Sequence, residues 1–324
     1  MSSLDQIKAP IASEMKAFEP KFRAHLSSKV ALVDQVMRFV IKRKGKQLRP
    51  ILVFLTAKIF GETTESTYRG ASLVEMMHTA TLVHDDVVDD SDMRRGYFSI
   101  NALWKNKVAV LIGDYMLSRV LLLAVETGEH RLLGLVSGAV KAMSEGELLQ
   151  IEKARRLDIT EEVYYQVIEQ KTASLLETCC AVGAASVGAS DEDIEKARAM
   201  GKELGLAFQI KDDLFDFERV NLTGKPVGID IKEQKMTLPL IKALMETDSK
   251  RRKYIITTIK RHHDRPKKVR EVVDFVRNSG GIDYARGKME THLSNAKSIL
   301  YTFPKGEART AMEQLINYIG IRKK

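Results

Sequence analysis

A chain of 324 residues, of which 44% are hydrophobic and 29% charged, can bury a large core, and no linker, repeat or low-complexity stretch interrupts it. The formal net charge is +9, but nine basic residues and one acidic residue between Arg251 and Arg270 supply most of the excess. We therefore interpret this run as a solvated helical face and expect no nucleic acid partner. Weak attraction to an anionic membrane surface is the alternative role for the run.

The cysteines and the start of the chain bear on its compartment. Cys179 and Cys180 are neighbours, which makes a disulfide between them strained, so a reducing environment is expected. Asp5 and Lys8 interrupt the start of the chain, which therefore has no signal pattern, and we expect no apolar run long enough to span a bilayer. These features predict a cytoplasmic protein.

Apolar residues recur at helical spacing along the chain, as in 73–80 and 194–204, whereas strand-like alternation is scarce. We therefore predict an all-α fold with a single domain over residues 1–324. Segment 219–234, which is rich in glycine and charge, is the one long loop expected, and it could act as a lid. The predicted helix starts and breaks are Pro50, Ser190, Gly61, Gly128 and Gly280–Gly281.

Two short runs, 84–90 and 211–217, each carry three aspartates at the spacing i, i+1, i+4. Residues four apart lie above one another in an α-helix, so each run projects its carboxylates from one side. Like charges at this spacing repel, so a helix that carries them within apolar sequence is typical of a site for hard cations, and Mg²⁺ is the best match. The predicted metal ligands are Asp85, Asp86, Asp89, Asp212, Asp213 and Asp216.

Separated basic side chains accompany both aspartate runs. Arginine forks and lysine point charges beside a metal site indicate polyanionic phosphate ligands, and two such ligands would use both runs. His78 lies seven residues before Asp85, or roughly 10 Å along a helix, and so shares its face. The predicted phosphate-binding residues are Lys46, Arg49, His78, Arg94, Arg95, Lys171, Lys225 and Lys235.

These motifs resemble those of the trans-isoprenyl diphosphate synthases, also called polyprenyl synthetases. The resemblance rests on GKxxRP at 45–50, DDxxD followed by RRG at 85–96, a Lys-Thr pair at 171–172, the approach to the second DDxxD at 205–216, GKPxG at 224–228 and KxTLP at 235–239. The motifs follow the family's order across nearly the whole chain. One departure is Gln234, which stands where the family usually has glycine before the lysine of KxTLP.

The resemblance implies an isoprenoid synthase helical bundle with a central active-site cavity. It implies head-to-tail, trans condensation of isopentenyl diphosphate with an allylic diphosphate such as farnesyl diphosphate, with three Mg²⁺ ions, by a homodimer. Gln209 and Thr172 would line the reacting centre beside Lys171. The isopentenyl diphosphate would be held by Lys46, Arg49, His78 and Arg95. The allylic diphosphate would be held by Arg94, Lys171, Lys225 and Lys235. The metal would be bound mainly by Asp85, Asp89 and Asp212, with Asp86, Asp213 and Asp216 in support.

Chain length control is expected on the helix that ends at the first aspartate run. Met77, Ala80 and Thr81 lie one to two turns before Asp85, and the small residues at 80 and 81 would let a growing chain pass deeper. A medium- to long-chain product is therefore predicted, with a short-chain farnesyl or geranylgeranyl diphosphate synthase as the alternative. The next barriers are expected on a helix over 108–127, at Met116, Val120, Leu121 and Leu123.

Three other functions fit parts of the pattern. A class I terpene cyclase would normally replace the second aspartate run and does not need GKxxRP. A di-iron bundle would need a second ExxH run besides Glu75–His78, and the chain has none. A non-catalytic subunit of a heteromeric prenyl synthase would be expected to lose aspartates from one run, and all six are present.

Overall fold

The computed structural model describes residues 3–42, 45–89, 91–94, 97–156, 159–217 and 228–322. Helices form nearly all of its regular structure, which confirms the predicted all-α class. The strands in these ranges are β1 (Met93–Arg94) and β2 (Tyr97–Phe98), an antiparallel pair that aligns Met93 with Phe98.

Sixteen α-helices lie in the described ranges, besides a 3₁₀ turn at Ala9–Ile11 and a π-helical turn at Glu169–Ala173. They are α1 (Ser3–Lys8), α2 (Ala12–His25), α3 (Ala31–Lys42), α4 (Leu48–Phe60), α5 (Glu65–Val88), α6 (Ile100–Glu126), α7 (His130–Arg156), α8 (Glu161–Ile168), α9 (Ser174–Ala185), α10 (Asp191–Phe215), α11 (Ile229–Lys232), α12 (Leu238–Met245), α13 (Ser249–His262), α14 (Pro266–Arg277), α15 (Gly281–Leu300) and α16 (Glu307–Ile321).

The chain divides into two compact units. The first unit comprises Met1–Val140, Leu175–Arg198 and Leu300–Gln314, and the second unit comprises Lys141–Ser174, Ala199–Ile299 and Leu315–Lys324. Each unit has its own buried core and is described by itself.

The core of the first unit is built on α4 and α5. The side chains of α4 are buried from Pro50 to Ala57 without a polar face, which is typical of a helix enclosed on all sides. Phe54 on α4 contacts the ring of Tyr68 on α5 at 5.2 Å. The start of α5 is fixed by a capping box, in which Thr64 and Thr67 satisfy each other's backbone N–H groups. Full burial of one such aromatic side chain stabilises the unit by about 1.5–3 kcal/mol.

Two glycines of the second unit allow helices to approach the π-helical turn closely. A Cβ atom at Gly205 on α10 would overlap the backbone of Ala173. On the other side, a Cβ atom at Gly146 on α7 would lie 2.9 Å from the backbone nitrogen of Lys171. The turn, which carries Lys171 and Thr172, is therefore held between two helices at distances that only glycine permits. π-helical turns of this kind occur frequently at functional sites.

The predicted helix boundaries agree well with the structure. Pro50 lies in the first turn of α4, Ser190 caps α10 by accepting a hydrogen bond from the backbone of Asp193, and Gly128 and Gly280 adopt positive φ between helices. Part of the predicted long loop is wrong, because residues 229–232 form α11. The remainder of that loop, 218–227, lies outside the described residues.

Helix α6 differs from its prediction in two ways. It begins at Ile100 rather than near 108, with an interruption at Lys105, whose φ is +69°. Its length and its apolar composition are also sufficient for a membrane-spanning helix, and it is the one such helix in the described part of the chain. The expectation that no segment meets that criterion is therefore wrong. Core helices meet the same criterion, and 39% of the apolar window of α6 is buried in the protein.

Candidate active site

The first aspartate run ends α5 and presents its carboxylates in different environments. The backbone nitrogen of Asp89 still bonds the carbonyl of Asp85 at 2.8 Å, so these two residues lie one helical turn apart as predicted. Asp89 is exposed and Asp85 is half-buried. Asp86 is only 3% exposed and lines an apolar cavity of about 110 Å³ with Phe18 and Phe22. Asp85 and Asp89 are thus the accessible pair.

The basic residues of GKxxRP lie at the start of α4. Gln47 enters the helix with a φ of +54°, which places Arg49 in its first turn, where backbone N–H groups and the helix dipole favour an anion. Arg49 is half-buried and Lys46 is exposed. Gln47 and Glu75 line one cavity, so the start of α4 lies beside the middle of α5. That part of α5 carries His78, which is 6% exposed.

Three predicted phosphate-binding residues lack a structural description of their side chains. Arg94 lies on β1 but only its backbone is described, and Arg95 and Lys225 lie outside the described residues. Their roles remain predictions.

Within the second aspartate run, Asp212 is the residue with an accessible carboxylate. Its side chain is 36% exposed, and Oδ1 accepts a hydrogen bond of 2.6 Å from the guanidinium of Arg322. That guanidinium also stacks over the ring of Phe208 at 4.0 Å. An arginine therefore neutralises this carboxylate.

Asp213 is buried and fully hydrogen-bonded. Oδ2 accepts a hydrogen bond of 2.6 Å from the hydroxyl of Tyr164, and Oδ1 accepts one of 2.8 Å from the amide nitrogen of Gln209. Burial, followed by the charge of Asp230, raises the pKa of Asp213 to about 8. Because both oxygens are engaged inside the protein, Asp213 supports the cluster rather than extending into solvent.

Asp216 connects the second aspartate run to α11. Its carboxylate accepts hydrogen bonds from the backbone nitrogens of Ile229 (2.8 Å) and Asp230 (3.2 Å), and its side chain is buried. This arrangement resembles a helix cap, in which a carboxylate satisfies the first N–H groups of a helix. The three aspartates of this run therefore differ in what they bind.

The predicted reacting residues of the second unit line one cavity of about 230 Å³. Lys171 forms an ion pair with Glu147, and the hydroxyl of Thr172 donates a hydrogen bond of 2.8 Å to the amide oxygen of Gln209. Lys235 lies at the same cavity and pairs with Glu233 at 2.5 Å. The structure thus brings together four predicted residues of this unit, Lys171, Thr172, Gln209 and Lys235, along with Asp213.

Sequence reasoning missed several residues of this cavity and its surroundings. Asp230 and Tyr164 line the cavity, Glu147 pairs with Lys171, and Arg322 pairs with Asp212. None is part of a repeated motif, and Tyr164, Glu147 and Arg322 each contact a partner that is distant in sequence. Asp230 stands five residues before Lys235, and that proximity to a motif is the only signal that could have found it.

The described ranges contain no group of three or more His, Cys, Asp or Glu side chains arranged to hold a metal ion. Mg²⁺ does not require such a group, because it commonly binds one or two carboxylates and completes its shell with phosphate oxygens and water. The accessible carboxylates of Asp85, Asp89 and Asp212 have this chemistry, so the residues fit the predicted ion.

The expected chain-length residues are largely internal to the first unit. Met77 and Ala80 are fully buried on α5, and Thr81 is half-buried and donates to the carbonyl of His78. On α6, Met116, Val120 and Leu123 are buried, but Leu121 is 53% exposed. The expectation that Leu121 forms an internal barrier is therefore wrong, because it lies on the outer side of its helix.

Comparison with known proteins identifies relatives along nearly the whole chain. The family model described as polyprenyl synthetase matches residues 30–276. The all-trans-nonaprenyl-diphosphate synthase (geranyl-diphosphate specific) of Rhodobacter capsulatus is 37% identical over 95% of each chain. The crystal structure of a decaprenyl diphosphate synthase from Rhodobacter capsulatus superposes with a TM-score of 0.93 at 33% identity, covering 99% of this chain and 100% of that one. A polyprenyl synthase from Caulobacter crescentus CB15, complexed with calcium and isoprenyl diphosphate, superposes with a TM-score of 0.92 at 31% identity, covering 99% and 98%.

Gln234 has a strained backbone. Its φ is +57°, in the left-handed region that glycine adopts freely, while the neighbouring turn is closed by a 2.8 Å hydrogen bond from the backbone of Lys235 to that of Asp230. This conformation costs a non-glycine residue about 1–2 kcal/mol. The turn before Lys235 is therefore formed with Gln234 in the place where the family usually has glycine, and it is strained.

We predict that Gln234→Gly stabilises the protein by roughly 0.5–1 kcal/mol, because relief of strain exceeds the added freedom of the unfolded chain. Thermal unfolding should show a midpoint increase of about 1–3 °C. Gln166→Gly, at an exposed position within α8, is the matched control and should destabilise by about 1 kcal/mol. A decrease for both variants would contradict the proposed strain.

Proposed function

The chain belongs to the polyprenyl synthetase family, and from this premise we propose that it is a prenyltransferase that condenses isopentenyl diphosphate with an allylic diphosphate, head to tail and in trans, to form a medium- or long-chain polyprenyl diphosphate. The observation that carries the proposal is the cavity of the second unit, where Lys171, Thr172 and Gln209 lie with the second aspartate run. Its acidic and basic groups suit a metal-bound diphosphate. A short-chain product remains the alternative.

The chemistry places particular demands on the residues of the chain. Breaking the allylic carbon–oxygen bond leaves an allylic cation and a diphosphate, so charge must be stabilised as it develops. Lys171 and Lys235 attract the departing diphosphate, and the oxygens of Thr172 and Gln209 offer lone pairs to positive charge. Apolar residues at the same cavity, among them Ile168 and Met236, exclude water that would trap the cation as an alcohol.

Mg²⁺ is the proposed metal, and three ions are expected from the family resemblance. Asp85 and Asp89 would hold it on the first unit, and Asp212 on the second unit. When bound, it supplies electrostatic stabilisation of the diphosphate leaving group. At Asp212 the ion would share the carboxylate with the guanidinium of Arg322, which bonds Oδ1, or would displace it.

The second substrate is proposed to bind at the first unit. Lys46, Arg49 and His78 would hold the diphosphate of isopentenyl diphosphate, since Arg49 lies in the first turn of α4, where the backbone N–H groups favour an anion. Farnesyl diphosphate is the proposed allylic primer. No base from the protein is required, because the departing diphosphate can accept the proton lost after condensation.

We also propose a cytoplasmic location, supported by the two free, buried cysteines Cys179 and Cys180. Cell fractionation that recovers the protein with secreted material would refute it.

The function is tested by incubating the protein with Mg²⁺, isopentenyl diphosphate and farnesyl diphosphate and by separating the dephosphorylated products. A series of prenols ending in one dominant medium or long product is expected. Asp85→Ala and Asp212→Ala should each lower the rate by at least about 100-fold, since each removes a ligand of a metal that supplies several kcal/mol. Asp283→Ala, which removes an exposed surface carboxylate, is the control and should retain full activity.

Other products would contradict the proposal in distinct ways. A cyclic hydrocarbon without elongation would indicate a terpene cyclase, and a farnesyl or geranylgeranyl product would indicate a short-chain synthase. Complete inactivity would indicate a subunit that needs a partner. Near-normal rates for both aspartate variants would refute the metal sites.

Product length is predicted to depend on Ala80 and Thr81. Ala80→Phe should shorten the dominant product, because a phenyl ring would close the pocket below the first aspartate run. Ala80 is fully buried, and overpacking costs about 1–3 kcal/mol, so Thr81→Phe at a half-buried position provides a second test. Glu65→Phe, at an exposed position in the first turn of the same helix, should leave product length unchanged. If all three variants make the wild-type product, the pocket wall is misplaced.

Homodimerisation is proposed through an apolar stripe on α6. Leu111, Leu121, Leu122 and Val125 are each at least 45% exposed and lie on one side of the helix, and exposed apolar patches of this kind often mark interfaces. Light scattering should give a mass of twice 36.5 kDa. Leu122→Glu should yield monomers, and the control Met245→Glu, at an exposed position on α12, should remain dimeric. A wild-type monomer would refute the proposal.

A further inference from the structure

Tyr164 lies at the inner end of a hydrogen-bonded chain that family comparison does not assign. It is 5% exposed on α8, and its ring packs in the core cluster of the second unit and contacts Tyr165 edge-on at 5.6 Å. The same residue lines the cavity that contains Lys171. Its hydroxyl donates to Oδ2 of Asp213 at 2.6 Å, which is a short distance typical of a strong hydrogen bond to a carboxylate.

The chain continues from Asp213 to the reacting centre. Oδ1 of Asp213 accepts from the amide nitrogen of Gln209, and the amide oxygen of Gln209 accepts from the hydroxyl of Thr172, both at 2.8 Å. Four side chains, contributed by α8, the π-helical turn and α10, are thus connected, and the donors on both sides point toward Asp213. Tyr164 and Thr172 stand at its two ends.

Two donors on two different oxygens fix the rotation of the Asp213 carboxylate about its Cβ–Cγ bond. Without the Tyr164 hydroxyl, Oδ2 would have no donor from α8, and the carboxylate could rotate away from Gln209. The Gln209 amide would then lose the bond that keeps its oxygen directed at Thr172. The position of Asp213 therefore determines the orientation of the amide.

The orientation of Gln209 in turn determines what Thr172 presents to the cavity. A hydroxyl carries one hydrogen and two lone pairs. Because the hydrogen of Thr172 is donated to Gln209, lone pairs remain for the cavity side. Lone pairs stabilise positive charge that develops on a reacting carbon, whereas an O–H directed at the carbon would oppose it.

We propose that Tyr164 is a positioning residue for prenyl transfer, whose hydroxyl acts through Asp213 to hold Gln209 and Thr172 in the orientation that the allylic cation requires. The inference rests on the proposed function. It assigns to Asp213 an orienting role within the second aspartate run and to Tyr164 a role in the reaction without contact with the reacting atoms.

The test compares Tyr164→Phe with Tyr165→Phe, which removes a hydroxyl from the neighbouring, half-buried ring. We expect Tyr164→Phe to lower kcat roughly 10- to 100-fold, the range expected when a reacting group is misplaced by about 1 Å, with KM values for both substrates within about threefold of wild type. Tyr165→Phe should match wild type. The melting temperature of Tyr164→Phe should fall by only a few degrees, about that expected for loss of one hydrogen bond.

Two further measurements separate orientation from general destabilisation. Because Tyr164 and Thr172 act in one chain, the kcat of Tyr164→Phe combined with Thr172→Val should be close to that of the slower single variant rather than the product of both losses. A crystal structure of Tyr164→Phe should show that the 2.8 Å bond between Thr172 and Gln209 is lost.

Several results would overturn the inference. These are a wild-type kcat for Tyr164→Phe, equal losses for both tyrosine variants, multiplicative effects in the double variant, or an intact bond between Thr172 and Gln209. A rate loss that excess Mg²⁺ restores fully would assign Asp213 to the metal instead. If the wild-type protein itself fails to elongate the substrate, the proposed function fails first, and the crystal structure still tests the orientation of Gln209.

Discussion

The carboxylate of Asp213 is buried inside the second unit, and a buried carboxylate is tolerated only where donors surround it. Tyr164 and Gln209 supply those donors, so α8 and α10 must pack at one fixed distance. The glycines at 146 and 205 permit the close approach of α7 and α10 to the π-helical turn that carries Lys171. The positions of the lysine, the threonine and the glutamine at the cavity thus depend on satisfying the hydrogen bonds of one buried carboxyl group.

The two aspartate runs share a pattern of buried and accessible carboxylates that their spacing alone does not reveal. In each run the second aspartate is buried, since Asp86 is 3% exposed and Asp213 is 5% exposed, while the first remains accessible. Successive residues on a helix point about 100° apart, so one of two adjacent carboxylates can face the core while the other faces the surface. The runs differ at the last position, because Asp89 is exposed whereas Asp216 caps α11.

Local signals in the sequence predicted the helices but not their interruptions. The cap at Ser190 and the breaks at Gly128 and Gly280 follow from backbone chemistry that a few residues determine. The π-helical turn depends on its close packing against α7 and α10, and neither it nor the interruption at Lys105 has such a signal. For the same reason the aspartates could be found by their spacing, whereas Tyr164 and Arg322 could not, because each reaches its partner from a distant segment.

The hydrogen bonds of Asp216 link two elements that are separated in sequence. Its carboxylate binds the backbone of Ile229 and Asp230, so the end of α10 and the start of α11 are fixed next to each other. The contact therefore joins the end of α10, which carries Asp212 and Asp213, to the start of α11 without passing along the chain between them. A substitution at Asp216 would thus loosen α11 and the second aspartate run together.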